Sequence, residues 1–401
     1  MLPCYHAFTA VAENQPSNKH RMLNELSAFA ARLRRSILSG FDPEAFDDWA
    51  IELFSLQYEH NAAYRPLCDL RKLTPTKLML ARGMTPSELD RWTQVPFVPT
   101  AAFKNLNFSC LPKTERRTVF HSSGTTGQRP SQHFHSSESL LVYEASLWKW
   151  FQASLGRDGD FLFLTPGPKD APHSSLVHMF ETVRQMTGLP PTTFTGTISA
   201  DLTWQVDFAA TLLPLKTAVA TGKPLTLLGT AFSFVNLLDH LGEKQLQFEL
   251  PPGSRVMETG GYKNRSRVLP KTELHALITR RLGVTPDHII CEYGMSELSS
   301  QAYTVRNDQY PLTQREQSVY PAARASHFYF PPWARARLIY PETGREVAEG
   351  ETGLIRIFDL ANVFSVAAIQ TEDLGIRRGD GFELVGRSQL SEPRGCSLMT
   401  S

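Results

Sequence analysis

Short apolar runs separated by helix-patterned stretches constrain this chain more than any other feature. FLFLT (161–165), LTLLG (225–229), RVMETGG (255–261) and HIICEYG (288–294) are rich in β-prone residues and too short for buried helices. Around them lie SSLVHMFETVRQMTG, FSFVNLLDHLGEKQ and LPKTELHALITRRLG, whose apolar residues recur at helical spacing. Strands that alternate with helices pair in parallel, because each crossover helix carries the chain back to the same edge of the sheet. The pattern therefore predicts an α/β fold with mixed, mostly parallel sheets flanked by helices. A further run, LIRIFDL (354–360), belongs to a more β-rich C-terminal part that follows an irregular stretch at 301–335.

The first hundred residues read differently. Met22, Leu26, Phe29, Leu33 and Ile37 form one helical stripe that stops at Gly40, and Asp42-Pro43 then caps a second helix carrying Phe46, Trp49, Leu53 and Phe54. The proline-rich VPFVPT (95–100) closes this region. The chain thus divides into a helical N-terminal region (1–100), a core (101–385) and a short tail (386–401). The charge is balanced, 41 basic against 40 acidic residues, with no basic stripe, so neither a nucleic-acid nor a membrane-surface partner is expected. No apolar run approaches a membrane span, and MLPCYHAFTAVAENQ lacks the layout of a signal peptide. Five cysteines without metal-ligand spacing fit a reducing compartment, so the expected location is the cytoplasm.

Four segments carry chemistry. Ser122-Ser123-Gly124-Thr125-Thr126-Gly127 packs hydroxyls and glycines into a loop that suits a phosphate, since the glycines let the backbone approach and the hydroxyls donate. It is not a Walker loop, and the same composition also marks an ordinary surface turn. Tyr293-Gly294-Met295-Ser296-Glu297 follows the strand HIIC, at the carboxyl end where open α/β sheets bind ligands. There Tyr293 offers a ring for a base and Glu297 an oxygen for Mg2+, although most glutamates at such turns are only solvated. Gly260-Gly261 leaves room for a flat ligand or simply makes a tight turn, and Asp373 is a ribose acceptor or a turn cap. His133-Phe134-His135 resembles a metal pair, but no third ligand presents itself and no zinc site is assigned there.

In this order the four segments resemble the adenylate-forming superfamily, which activates carboxylates as acyl-AMP. The resemblance implies ATP and Mg2+ as cofactors. It implies a phosphate loop at Ser122–Gly127, a nucleotide motif at Tyr293–Glu297, adenine-pocket glycines at Gly260 and Gly261, a ribose aspartate at Asp373 and a hinge at Gly386-Arg387. Finer details, including Phe103-Lys104, Ser174–Met179, Glu258–Lys263 and the ending Arg394-Gly395-Cys396-Ser397-Leu398, resemble one branch. That branch is the acyl-protein synthetase family, the fatty-acid–luciferin-component ligases of bacterial bioluminescence and their relatives. Membership implies that an acid is adenylated, passed to a cysteine near the C-terminus, here Cys396, and delivered to a partner NADPH-dependent acyl reductase that makes an aldehyde. Ser174, Ser175, His178 and Gly229 are the expected acyl-pocket residues.

One departure from the superfamily matters. Only fifteen residues follow Gly386, too few for the usual C-terminal subdomain with its catalytic lysine. Lys104, Lys263, Arg265 and Arg267 are possible substitutes for that lysine. A positive charge at Arg394 and a flexible Gly395 suit Cys396 as a thiolate nucleophile on a short arm. Two other readings stay open: a ligase that passes the acyl group to coenzyme A or a carrier-protein thiol, and a non-catalytic subunit of an acyl reductase complex.

Overall fold

A computed structural model of the chain describes residues 16–80, 91–122, 129–200, 203–260, 269–305 and 327–387. Helix α1 (Pro16–Ser39) buries Leu26, Phe29, Leu33 and Ile37, the stripe read from the sequence. Gly40 ends it at φ +114°, a backbone region that only glycine enters without strain. Asp42 then accepts a hydrogen bond from the Glu44 amide, and the chain enters α2 (Phe46–His60). Two short helices, α3 (Arg65–Leu70) and α4 (Pro75–Leu80), complete this part.

The N-terminal helices join the rest through buried polar contacts as well as through a shared apolar core. Gln57 on α2 donates from Nε2 to the carbonyls of Asn362 (2.7 Å) and Val363 (3.2 Å) and accepts from the Ala367 amide (2.9 Å). Asn61 donates to the Ser365 carbonyl at 3.1 Å. One apolar cluster runs from Leu26 through Phe358 to Phe382, so helices and sheet exclude water together.

After β1 (Val98–Pro99) a hairpin, β2 (Thr118–His121) and β3 (Gln132–His135), leads into α5 (Ser137–Leu155). Next come β4 (Asp160–Phe163), α6 (Ser175–Thr187), the small pair β5 (Gly196–Ile198) and β6 (Trp204–Val206), and α7 (Phe208–Thr221). The expected alternation continues through β7 (Leu225–Thr230), α8 (Ala231–Glu243), β8 (Arg255–Thr259), α9 (Lys271–Leu282) and β9 (Ile289–Tyr293). The remaining strands are β10 (Ala302–Val305), β11 (His327–Tyr329), β12 (Ala334–Ile339), β13 (Thr352–Asp359), β14 (Ala368–Arg378) and β15 (Gly381–Arg387).

The main sheet is mixed, in the order β12-β13-β14-β15-β11-β10-β9-β8-β7-β4, with β1 alongside β14. β4, β7, β8 and β9 pair in parallel, as the strand–helix alternation requires. From β9 onward the pairing turns antiparallel, except that β1 runs parallel to β14. A second, smaller core packs α8 and α9 against the other face of the parallel strands. The carboxyl ends of β8 and β9 thus stand beside β14 and β15, which fold back from the far end of the chain. Among the described residues no helix is long and apolar enough to cross a membrane.

Candidate active site

A cavity of about 390 Å³ opens where the carboxyl ends of β8 and β9 face β14 and β15. That is a size suited to a small-molecule ligand, and the end of parallel strands is where such sheets bind one. Segments that are far apart in sequence supply its wall: Ser122 at the end of the hairpin, Ser174 and Ser175 at the start of α6, Thr259 and Gly260 at the end of β8, Tyr293–Glu297 at the end of β9, and Asp373 with Gly386 and Arg387 on β14 and β15.

Each is held by its own local structure. Ser174 caps α6, accepting from the Val177 amide at 3.2 Å, so the positive end of that helix faces the cavity. Gly260 takes φ +74°, which lets the chain turn away directly after β8. At Gly294 a Cβ would meet Glu292 Oε1 at 2.3 Å, so the motif glycine makes room for a neighbouring carboxyl.

Glu297 is fully buried at 0% exposure and forms part of the cavity wall. It accepts from Ser131 Oγ at 2.6 Å and from Ser296 Oγ at 3.0 Å. Ser131 also donates its amide to Ser122 Oγ at 2.9 Å and accepts from the Ser122 amide at 3.2 Å. The two ends of the Ser/Gly/Thr loop are thereby tied together and to the motif carboxylate. Ser123, Gly124, Thr125, Thr126 and Gly127 lie outside the described residues, as do Gly261, Lys263, Arg265, Arg267 and Cys396.

On the opposite wall Tyr293 donates its hydroxyl to Asp373 Oδ2 at 2.9 Å, and Arg387 Nε stands 3.4 Å from Asp373 Oδ1. Burial and the Asp373 charge hold the Tyr293 phenol well above its ordinary range, so it stays a donor. The Tyr293 ring lies edge-on to Phe382, centroids 5.4 Å apart, which fixes its plane.

The buried carboxyls at the cavity wall were not singled out by sequence reasoning. Burial pushes Glu292 up to about 7; the Thr259 hydroxyl bonded to it opposes the shift and the Glu258 charge adds to it. Burial also works against the charge of Glu258, but hydrogen bonding from His275, at 3.4 Å, and the nearby Lys271 ammonium keep its carboxyl below the usual range. Lys271 lines the cavity, whereas Lys104, in the 3-10 turn 100–104, does not. The signal for Lys271 was its position as the first residue of a helix that follows a motif strand.

Two expected acyl-pocket residues stand off the cavity lining. His178 pairs with Glu144 Oε1 at 3.1 Å and packs against Phe120 and Tyr143. Gly229 sits inside β7, where a Cβ would meet Leu164 Cβ at 3.0 Å, a packing constraint between strand and core. Ser174, Ser175 and Met179 do line it. His133 and His135 are buried on β3 with ring centroids 4.8 Å apart, and among the described residues neither joins a cluster of three metal-ligating groups. Burial holds His133 down at about 4 and His135 well below its ordinary value. Burial also pushes the thiols of Cys68 and Cys110 up to about 12 and that of Cys291 higher still, so none of the described cysteines is a free thiolate at neutral pH.

Comparison with known proteins agrees with this geometry. The sequence pattern of the family described as "Acyl-protein synthetase, LuxE" matches residues 42–401. The chain is 24% identical over 363 residues to the long-chain-fatty-acid–luciferin-component ligase of Vibrio harveyi, covering 87% of this chain and 85% of that one. It is 23% identical over 376 residues to the protein of the same name from Aliivibrio fischeri, covering 88% and 87%. Among solved structures, an open conformation of a 2-hydroxyisobutyryl-CoA ligase superposes with a TM-score of 0.59 at 13% identity, covering 86% of this chain and 74% of that one. The thioesterification state of that ligase superposes with a TM-score of 0.57 at 14% identity, covering 94% and 72%. The fold is that of the adenylate-forming ligases.

Proposed function

We propose, from the premise that this chain belongs to the acyl-protein synthetase (LuxE) family and is an acid ligase, that it activates a fatty or related carboxylic acid with ATP and then takes the acyl group onto its own Cys396. The observation that carries the reading is the meeting of sequence-distant segments around one cavity, each offering what an acyl-adenylate requires. Asp373 would accept the ribose hydroxyls, with Tyr293 and Arg387 fixing its two oxygens. Gly260 and the Tyr293 ring border the space for the base, and the Ser122 end of the loop borders the phosphates.

Glu297 fits a divalent cation: its carboxylate is oriented by two hydroxyls, and a hard oxygen ligand is what Mg2+ prefers. Bound there, Mg2+ would neutralise charge on the phosphates. An oxygen of the acid attacks the α-phosphorus, the bond to the β-phosphate oxygen breaks, and pyrophosphate leaves. The start of α6, with Ser174 and Ser175, borders the cavity where the acid would lie, and its positive helix end favours a carboxylate. In the second step the Cys396 thiolate attacks the acyl carbon and AMP leaves with the bonding electrons, giving a thioester.

Chain geometry supports Cys396 as acceptor. Arg387, the last described residue, borders the cavity, and Cys396 follows it by nine residues, a span of at most about 30 Å when extended. Burial raises the thiols of Cys68, Cys110 and Cys291, so none of these three competes as an acceptor. Delivery of the acyl group to a partner acyl reductase follows from the family reading, since a protein-bound thioester is a substrate for hydride reduction.

The test is intact-protein mass after incubation with ATP, Mg2+ and a panel of carboxylic acids, in wild type and Cys396→Ser. The expected result is an ATP-dependent acyl adduct that hydroxylamine removes and that Cys396→Ser lacks. AMP production without an adduct would transfer the assignment to a ligase that uses an external thiol. An adduct that persists in Cys396→Ser would overturn the acceptor.

A further inference from the structure

At the cavity wall, apart from Glu297, three metal-ligating side chains from three elements converge. Strand register sets Glu258 on β8 directly beside Cys291 on β9, so both side chains leave the same face of the sheet. His275, one turn into α9, packs down onto them. Its Nε2 lies 3.4 Å from Glu258 Oε1 and 3.8 Å from Cys291 Sγ, and the three ligand atoms all fall within 4.8 Å of one another.

The two His275 separations, 3.4 and 3.8 Å, are close to those of a coordination shell, and a small inward shift of the side chains would complete it. A tetrahedral Zn2+ bound at about 2.0–2.1 Å to N and O and about 2.3 Å to S holds its ligands roughly 3.3–3.7 Å apart. The plainer reading is an ion pair between Glu258 and His275, with Lys271 Nζ 3.9 Å from the same carboxylate oxygen and the Cys291 thiol a further hydrogen-bond partner. Two features weigh against it. Glu258 and Cys291 are buried, 5% and 2% exposed, so a thiol is being held at the point where carboxylate and imidazole meet. Lys271 is 46% exposed in its side chain and its contact is long, so it can turn out to solvent when a cation enters. A mixed sulfur, nitrogen and oxygen set also selects a borderline-soft ion over Mg2+ or Ca2+, which take oxygen.

We propose that Glu258, His275 and Cys291 form a zinc site that joins β8, β9 and α9 at the wall of the cavity. Carboxylate and thiolate together bring two negative charges to one divalent cation, so the site is neutral when filled. Binding releases the Cys291 proton to solvent as the sulfur–metal bond forms. Glu258 and Cys291 both border the cavity, so water or a molecule bound there can supply a fourth ligand. Filling the site would tie strand ends that carry Gly260 and Tyr293 to α9, a structural role that does not depend on the acyl chemistry.

The test uses the full chain, stripped with a chelator and titrated with Co2+, following the thiolate-to-cobalt charge-transfer absorption. Wild type and Cys396→Ser are expected to bind one equivalent with this band, and Zn2+ to displace it. Cys291→Ser is expected to lack the band. His275→Gln, at a part-exposed helix position that tolerates the change, is expected to weaken binding by at least about tenfold while keeping the fold. Absence of the band in wild type, its persistence in Cys291→Ser, or unchanged affinity in His275→Gln would each overturn the site. None of these readouts involves ATP or an acid, so failure here is distinct from failure of the ligase reading.

Discussion

Replacing Glu297 by Gln separates the chemistry of the cavity from its fold. The carboxylate accepts two hydroxyl hydrogen bonds, at 2.6 Å from Ser131 and 3.0 Å from Ser296, and is fully buried. Gln has the same length. Its carbonyl oxygen keeps the Ser131 bond, and its amide donates to Ser296, whose hydroxyl turns round to accept. Hydrogen bonds to a charged acceptor contribute about 1.5–3 kcal/mol and neutral ones about 0.5–1.5, so each bond weakens by about 1 kcal/mol. The folding cost is therefore about 1–2 kcal/mol, readable as a small shift in a urea midpoint. The chemical cost is larger, because a ligand charge next to the reacting phosphates is lost. By the measure of other preorganised electrostatic groups it should be about 3–4 kcal/mol, or about 100- to 1000-fold in rate. ATP–pyrophosphate exchange reads the adenylation step alone, and high Mg2+ should recover part of the loss. Exchange within about threefold of wild type would refute a metal-holding role for Glu297. A stability loss above about 4 kcal/mol would instead make the residue a structural one.

Three further outcomes are expected. Asp373→Ala removes the acceptor fixed by Tyr293 and Arg387 and should raise KM for ATP by about 10- to 100-fold, leaving KM for the acid nearly unchanged in initial-rate kinetics. Gln57→Leu leaves the Asn362 and Val363 carbonyls and the Ala367 amide without their buried partner, and should cost about 3 kcal/mol or more in equilibrium unfolding. Burial holds His133 at about 4, below the unfolded value of about 6.5, so its contribution is fully present above pH 6.5 and is lost as pH falls toward 4; that amounts to about 3 kcal/mol, with His135 acting in the same direction. Denaturant midpoints measured between pH 7.5 and 4.5 should fall accordingly in wild type, and less steeply in His133→Asn.

Much of the site was legible because its parts are local. A glycine pair after a strand and a Tyr-Gly-x-Ser-Glu turn each occupy a few adjacent residues, and strand ends are where α/β sheets bind ligands; Ser174 and Ser175 were implied by the resemblance. Ser122, Ser174, Ser175, Gly260, Tyr293, Glu297, Asp373 and Arg387 accordingly meet around one cavity. Cys291 shows the limit of such reasoning. An apolar strand context marks it as a small core residue, and its burial at 2% fits that. Its closeness to Glu258 and His275 depends on the register of β8 against β9 and on the seating of α9, neither of which leaves a local signal. Lys271 was passed over for the same reason, and Gly229 and His178 were placed by resemblance where packing governs.

The sequence by itself determined the elements and their order: apolar periodicity set the helices α1, α6, α8 and α9 and the strands β4, β7, β8 and β9, because burial of one face is a property of neighbouring residues. It also determined that β4, β7, β8 and β9 pair in parallel, since helices carry the chain across from each of these strands to the next. Only the tertiary structure decided that β14 and β15 return beside β9 by way of β11 and β10, bringing Asp373 within 2.9 Å of Tyr293 across 80 residues of chain. An antiparallel strand can add to any compatible edge, and which edge it takes is settled by the packing of Phe328, Phe330 and Phe382 against Tyr293, contacts that exist only once the whole core has closed.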